Sequence, residues 1–176
     1  LIATEVPSGG DDYTSYLVTT KTLDSSTSIG ITDGIEIIGR PTPIVYNGAV
    51  FVEDASSPVL TRYNTVGDYL EEGERLSFAG VGVGEVYTYL VKIISDTKAY
   101  LYDPAGPRMI VWNPQTMTLT GTEIDLSIIS RDGYTPYVYM EDFYNAIIKD
   151  GKLFVPVSYS DQDWLYDYLS AVLTID

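Results

Sequence analysis

Three segments of the chain repeat one pattern, a polar turn followed by an alternating apolar strand. They are Asn47-Gly48-Ala49-Val50-Phe51-Val52, Asp96-Thr97-Lys98-Ala99-Tyr100-Leu101 and Asp150-Gly151-Lys152-Leu153-Phe154-Val155, and their starts lie 49 and 54 residues apart. A period of this size constrains the fold more than any local propensity, because each copy must be one supersecondary unit that buries its apolar face against a neighbour. In the first two copies short strands follow at Val59 to Tyr63 and Met109 to Trp112, closed by Asn64 and Asn113. Fourth strands follow at Glu74 to Phe78 and Thr122 to Leu126, each preceded by a glycine, Gly73 and Gly121. The third copy reaches Leu173-Thr174-Ile175-Asp176 only after an insertion.

In the first copy the unit therefore reads as strands at Pro43 to Tyr46, Ala49 to Glu53, Val59 to Tyr63 and Glu74 to Phe78. Asn-Gly and Asp-Gly suit two-residue hairpins, which need positive φ. Tyr, Thr, Val and Ile fit a pleated, half-buried surface, and 15 Gly with 9 Pro supply turns, so the class is all-β. A four-stranded antiparallel unit repeating at this interval is the signature of a β-propeller blade. A β-sandwich with evenly spaced strands is the alternative, and the recurrence of the tyrosine or tryptophan in register favours the propeller. The expected organisation is a linker over residues 1–14 and a partial propeller over 15–176, with blade-like repeats at 40–80, 85–128 and 137–176. Further strands are expected at Ser15 to Thr20 and Ser28 to Ile37. About three to four blades fall short of a closed ring, so the remaining blades are expected from a second chain or a missing C-terminal half.

The chain has no His and no Cys, which excludes Ser-His-Asp and Cys-His nucleophiles, zinc fingers, disulfides and iron–sulfur ligation by Cys. Its net charge of −15 repels phosphate backbones, so no nucleic-acid partner is expected. No apolar run reaches the roughly 18 residues that cross a bilayer, and Leu1 to Gly10 lack the features of a signal peptide. The expectation is a soluble chain from which any export signal has been removed.

Tyr16-Leu17-Val18-Thr19-Thr20, Thr32-Asp33-Gly34-Ile35-Glu36, Leu60-Thr61-Arg62-Tyr63, Leu70-Glu71-Glu72-Gly73 and Gly121-Thr122-Glu123-Ile124-Asp125-Leu126 carry a resemblance. With these segments nearly the whole chain resembles the N-terminal half of a family of bacterial seven- or eight-bladed propeller lipoproteins of Gram-negative envelopes, some of which bind ferric siderophores. The resemblance implies an extracellular, cell-surface or periplasmic location and capture of a small-molecule iron chelate beside an outer-membrane transporter. It implies no cofactor other than a ferric siderophore held as ligand. The lipid-bearing Cys of such lipoproteins is absent from this sequence. The charge of −15 also opposes anionic ferric catecholates, and leaves neutral or cationic chelates open.

In a propeller the inter-blade loops and the loops between second and third strands emerge on one face. Here these are Gly39 to Thr42, Gly82 to Tyr87 and Arg131 to Tyr137, with Asp54 to Pro58, Asp103 to Arg108 and Ser158 to Tyr168. Arg40, Tyr87, Arg108, Arg131, Tyr134, Tyr137, Tyr139 and Trp164 are the candidate ligand-binding residues. Aromatic faces stack on planar rings, and arginine forks hold carboxylates or phenolates. Asp161, Asp163 and Asp167 offer oxygens to calcium but lack the glycine and terminal Glu of an EF-hand, so they read as a solvated loop. Glu71-Glu72-Gly73-Glu74 reads as a hairpin turn, and Gly80 to Gly84 precedes strand-like residues rather than a phosphate-binding helix. No residue is assigned a catalytic or metal-binding role. The expected function is non-catalytic ligand binding, against a structural or adhesive protein or a carboxylate-dependent hydrolase or lyase using the channel.

Overall fold

The computed structural model describes residues 2–7, 13–18, 34–38, 41–54, 57–67, 69–103, 105–106, 108–127, 135–137, 143–160 and 169–176. The chain is all-β and divides into two compact units, Leu1–Thr88 and Tyr89–Asp176. Among the described residues no helix is long and apolar enough to cross a membrane.

The first unit holds two antiparallel sheets. One is β1 (Ile2–Pro7), β2 (Tyr13–Val18) and β3 (Ile35–Ile38), paired in that order. Residues 2–7, which the sequence leaves in a linker, thus pair along their length with β2. The other is a four-stranded meander of β4 (Ile44–Tyr46), β5 (Ala49–Glu53), β6 (Val59–Val66) and β7 (Tyr69–Ser77). Asn47 and Gly48 both take positive φ, 45° and 77°, as the tight β4–β5 hairpin requires.

The second unit repeats the meander with β8 (Val91–Ser95), β9 (Lys98–Asp103), β10 (Arg108–Asn113) and β11 (Thr118–Asp125). Its first hairpin is built differently. Neither Asp96 nor Thr97 has positive φ, and a register shift between Ile93 and Ser95 puts an extra residue in β8. Thr97 is β-branched and resists the left-handed region, so a bulge takes up the twist that Asn-Gly absorbs in the first copy. The β10–β11 turn is closed by Asn113, whose Oδ1 accepts from the Gln115 and Thr116 amides at 2.9 and 3.1 Å. The last sheet centres on β14 (Lys152–Ser160), with β15 (Leu169–Ile175) along one edge. Along its other edge β13 (Ile147–Lys149) and β12 (Thr135–Tyr137) pair with opposite ends of β14. Asp150 and Gly151 take positive φ, 53° and 75°.

The fourth strands start earlier than the sequence suggests. Glu71 to Glu74 are not a turn. They lie inside β7, and the chain reverses between Val66 and Tyr69. Gly73 and Gly121 sit at register shifts, where Arg62 and Val111 each face more than one residue of the outer strand. A Cβ at Gly73 would stand 2.5 Å from Asn64 Nδ2 and 3.0 Å from the Arg62 carbonyl oxygen, so the bulge packs too closely for a side chain.

Burial follows strand order. Residues 49–52 of β5, 99–103 of β9 and 109–112 of β10 are buried consecutively, so side chains on both faces of these strands are covered. Only Leu76 of β7 is buried, and no residue of β11 is. In the first unit Val50, Val52 and Tyr63 pack with Leu17 and Ile37 of the β1–β3 sheet, and Ile35 and Leu70 flank them. Each such aliphatic side chain contributes about 1.5–3 kcal/mol when fully buried. In the second unit Tyr102 stacks on Phe143 at 5.4 Å, and the Tyr100 hydroxyl donates to the Asp176 carbonyl at 3.1 Å.

Candidate functional site

Two of the six loops expected to share a face, Gly82 to Tyr87 and Asp54 to Pro58, meet in the first unit. The Val86 amide donates to the Ser57 carbonyl at 3.2 Å, and the Thr88 amide and hydroxyl both donate to the Glu53 carboxylate. The segment after β7 is therefore tied to the turn between β5 and β6. Burial raises the Glu53 pKa above its ordinary value, and the two Thr88 hydrogen bonds oppose that rise. Tyr87 lies in this segment, with its hydroxyl donating to Glu85.

Arg108 begins β10 in the second unit and lies directly across from Asp103 at the end of β9. Its Nε and Nη2 donate to Asp103 Oδ2 at 3.0 and 2.9 Å, and its Nη1 donates to Glu123 Oε2 on β11 at 2.9 Å. The Asp103 side chain is 3% exposed and also accepts from the Ala105 amide at 3.0 Å. The Asp103 hydrogen bond is the main cause that holds the guanidinium above its ordinary pKa, with Glu123 adding to it against burial. Arg108 thus staples three strands.

The first unit has the same device with the charges redistributed. Asp54, which follows β5 as Asp103 ends β9, accepts from Arg75 Nη2 at 3.2 Å, and Arg75 Nε donates to Thr61 Oγ1 at 3.1 Å. Here the arginine stands on the fourth strand, opposite Thr61, at the place that Glu123 holds opposite Ile110.

Arg40, Arg131, Tyr134, Tyr139 and Trp164 lie outside the described residues, as do Asp161, Asp163 and Asp167. Tyr137 ends β12, opposite Ser158. Tyr87 belongs to the first unit and Arg108 to the second.

One feature of the first unit has no counterpart among the candidates drawn from sequence. A cleft of about 240 Å³ opens between the β1–β3 and β4–β7 sheets, lined by Glu36, Glu53, Asp54, Tyr63, Glu72 and Arg75 among polar residues and by Ile35, Ile37 and Val52 among apolar ones. The bulge at Gly73 makes it. Residues three apart on a regular strand point to opposite faces, yet Glu72 pairs with Tyr63 and Arg75 with Thr61, so the extra residue turns both side chains to one side. Arg75 Nε also lies 3.8 Å from Glu72 Oε1. Tyr63 is 7% exposed and lines the cleft beside Glu72, Arg75 and Asp54, whose charges all act on its phenol. Desolvation first, then the Glu72 charge, raises its pKa, so the phenol keeps its proton at neutral pH. The pattern Glu71-Glu72-Gly73-Glu74-Arg75 was the available signal for this cleft, but it becomes one only once the bulge is known.

No protein-family model, curated protein or solved structure matches the chain.

Proposed function

We propose that this chain is part of a β-propeller that binds a ligand without transforming it. The observation that carries the reading is a difference between equivalent positions of the three repeats. Leu60 opposite Glu53 and Met109 opposite Tyr102 are fully buried, whereas Val172, at the matching place opposite Pro156, is 65% exposed. Ile147, opposite Phe154 on that same face, is 61% exposed. A propeller accounts for this. Each blade covers the face of its neighbour, and the face with Ile147, Phe154, Pro156 and Val172 is where the next four-stranded sheet would pack. The remaining blades would come from a second chain or from further sequence of the same polypeptide.

The ligand class we propose is a ferric siderophore, taken up at a Gram-negative cell surface or in the periplasm and passed to an outer-membrane transporter. The net charge of −15 and the ties of Arg108 to two carboxylates favour neutral or cationic chelates over anionic catecholates. Calorimetric titration of the complete propeller with a neutral ferric hydroxamate, a cationic one and a ferric catecholate tests this. Saturable heat with the first two and none with the third is the expected result. No heat with any chelate moves the function to the adhesive or the carboxylate-dependent hydrolase reading.

A further inference from the structure

An edge strand offers unpaired N–H and C=O groups to any other strand, and soluble proteins blunt such edges with charges, prolines, bulges or short length. The described edge strands of this chain follow the rule with one exception. β7 and β11 carry several acidic residues and are bulged against their neighbours. β1, β3 and β8 each carry a charge, and β4, β12 and β13 are only three residues long. β15 has none of these devices. Its seven residues, Leu169–Ile175, include no charge, no proline and no glycine, and they pair with β14 in an unbroken register from Leu169 to Ile175. Among the described residues no strand lies along its other edge, whereas β6 and β10, at the matching place in their sheets, are covered there by β7 and β11.

We propose that this edge pairs antiparallel with the β15 edge of a second copy of the chain, about a two-fold axis at Val172. Symmetry and charge select this occupant. Identical strands can pair antiparallel about a two-fold axis, and with Val172 opposite itself Ala171 meets Leu173 of the second copy, so the neighbours across the axis are apolar. A strand rich in carboxylates would find no cation on β15, in contrast to β10, where Arg108 holds Glu123 of β11. The uncharged sequence of β15 therefore suits its own copy better than a strand of the β7 or β11 kind. Pairing seven residues buries little area, so the dimer is reversible, and the charge of −15 on each copy opposes it until salt screens that charge. The edge is distinct from the exposed face of the same sheet proposed to receive the next blade, so a chain that stays monomeric overturns this proposal alone.

Sedimentation velocity of the full chain over a range of protein concentrations, at low and at physiological salt, tests the pairing. A monomer–dimer equilibrium that strengthens with salt and goes no further is expected, with amide exchange in β15 slowing as the dimer forms. Val172 is 65% exposed, so Val172→Lys and Val172→Glu should melt at the wild-type temperature. Each alone places like charges opposite one another at the axis and should weaken dimerisation by roughly fivefold to tenfold, whereas an equimolar mixture of the two should recover it. Ile147→Lys charges the same face but stands on β13, across β14 from β15, and should leave dimerisation unchanged. The proposal fails if the chain is monomeric at every concentration, as it would be were another polypeptide to supply the covering strand, or if association runs past the dimer. It fails equally if the mixture associates no better than either variant alone, or if Ile147→Lys weakens dimerisation as much as Val172→Lys, which would put the contact on the face.

Discussion

Replacing Arg108 with alanine separates two roles for one residue. If Arg108 only awaited a ligand, its removal would spare the fold, as an exposed arginine's would. The structure ties it instead to Asp103, whose side chain is 3% exposed, through two bonds at 2.9 and 3.0 Å. Truncation would leave a buried carboxylate with the Ala105 amide as its one remaining described donor. Breaking a buried pair by deleting one partner costs about 3–5 kcal/mol. The Arg108 side chain is 28% exposed, and water reaching Asp103 recovers part of that, so we expect about 2–3 kcal/mol. The outer arm to Glu123, 41% exposed, should add less than about 1 kcal/mol, and Glu123→Gln isolates it. For a cooperative chain of this size the loss corresponds to a fall in Tm of roughly 5–10 °C. Urea denaturation of wild type, Arg108→Ala, Glu123→Gln and the paired Asp103→Leu/Arg108→Met variant would measure it, with the paired variant recovering most of the stability because no charge is stranded. An Arg108→Ala variant within about 0.5 kcal/mol of wild type would refute the reasoning.

Three further outcomes follow from the geometry. Gly73→Ala should destabilise by about 1–3 kcal/mol, since its Cβ would meet Asn64 Nδ2 at 2.5 Å and the Arg62 carbonyl at 3.0 Å; a neutral result by thermal melting would mean the bulge relaxes freely. Gly48→Ala should cost about 1–2 kcal/mol through its φ of 77° alone, because a Cβ there has open space, and chemical denaturation should show it. Glu53 has a folded pKa raised above 4.5, so its contribution is fully present below that value and is lost as pH rises through the folded value. The stability of wild type relative to Glu53→Gln should therefore fall from about pH 4.5 toward neutrality, and denaturation midpoints that move the other way would contradict the burial of that carboxylate.

The amino-acid sequence determines the Asn47-Gly48 and Asp150-Gly151 hairpins and the inner strands they open, but not β1, which it leaves in a linker. Asn47-Gly48 and Asp150-Gly151 reach positive φ because their own side chains permit it, and β5 spans the residues that alternate after the first turn. These are short-range effects, set by residues within a few positions of one another. The bulges are not of this kind. Gly73 is legible as a breaker, but whether it ends a strand or widens one depends on what lies across from it, here Arg62 and Asn64 on β6. That register turns Glu72 and Arg75 to one face, where they line the cleft together with Tyr63, the aromatic that recurs in register in the sequence. Arg108 shows the same limit. Its place beside a loop is local, but its partners Asp103 and Glu123 are brought to it by strand pairing. Backbone preference is written into each residue, whereas burial and charge pairing belong to the contacts between strands, and only the tertiary structure decides those.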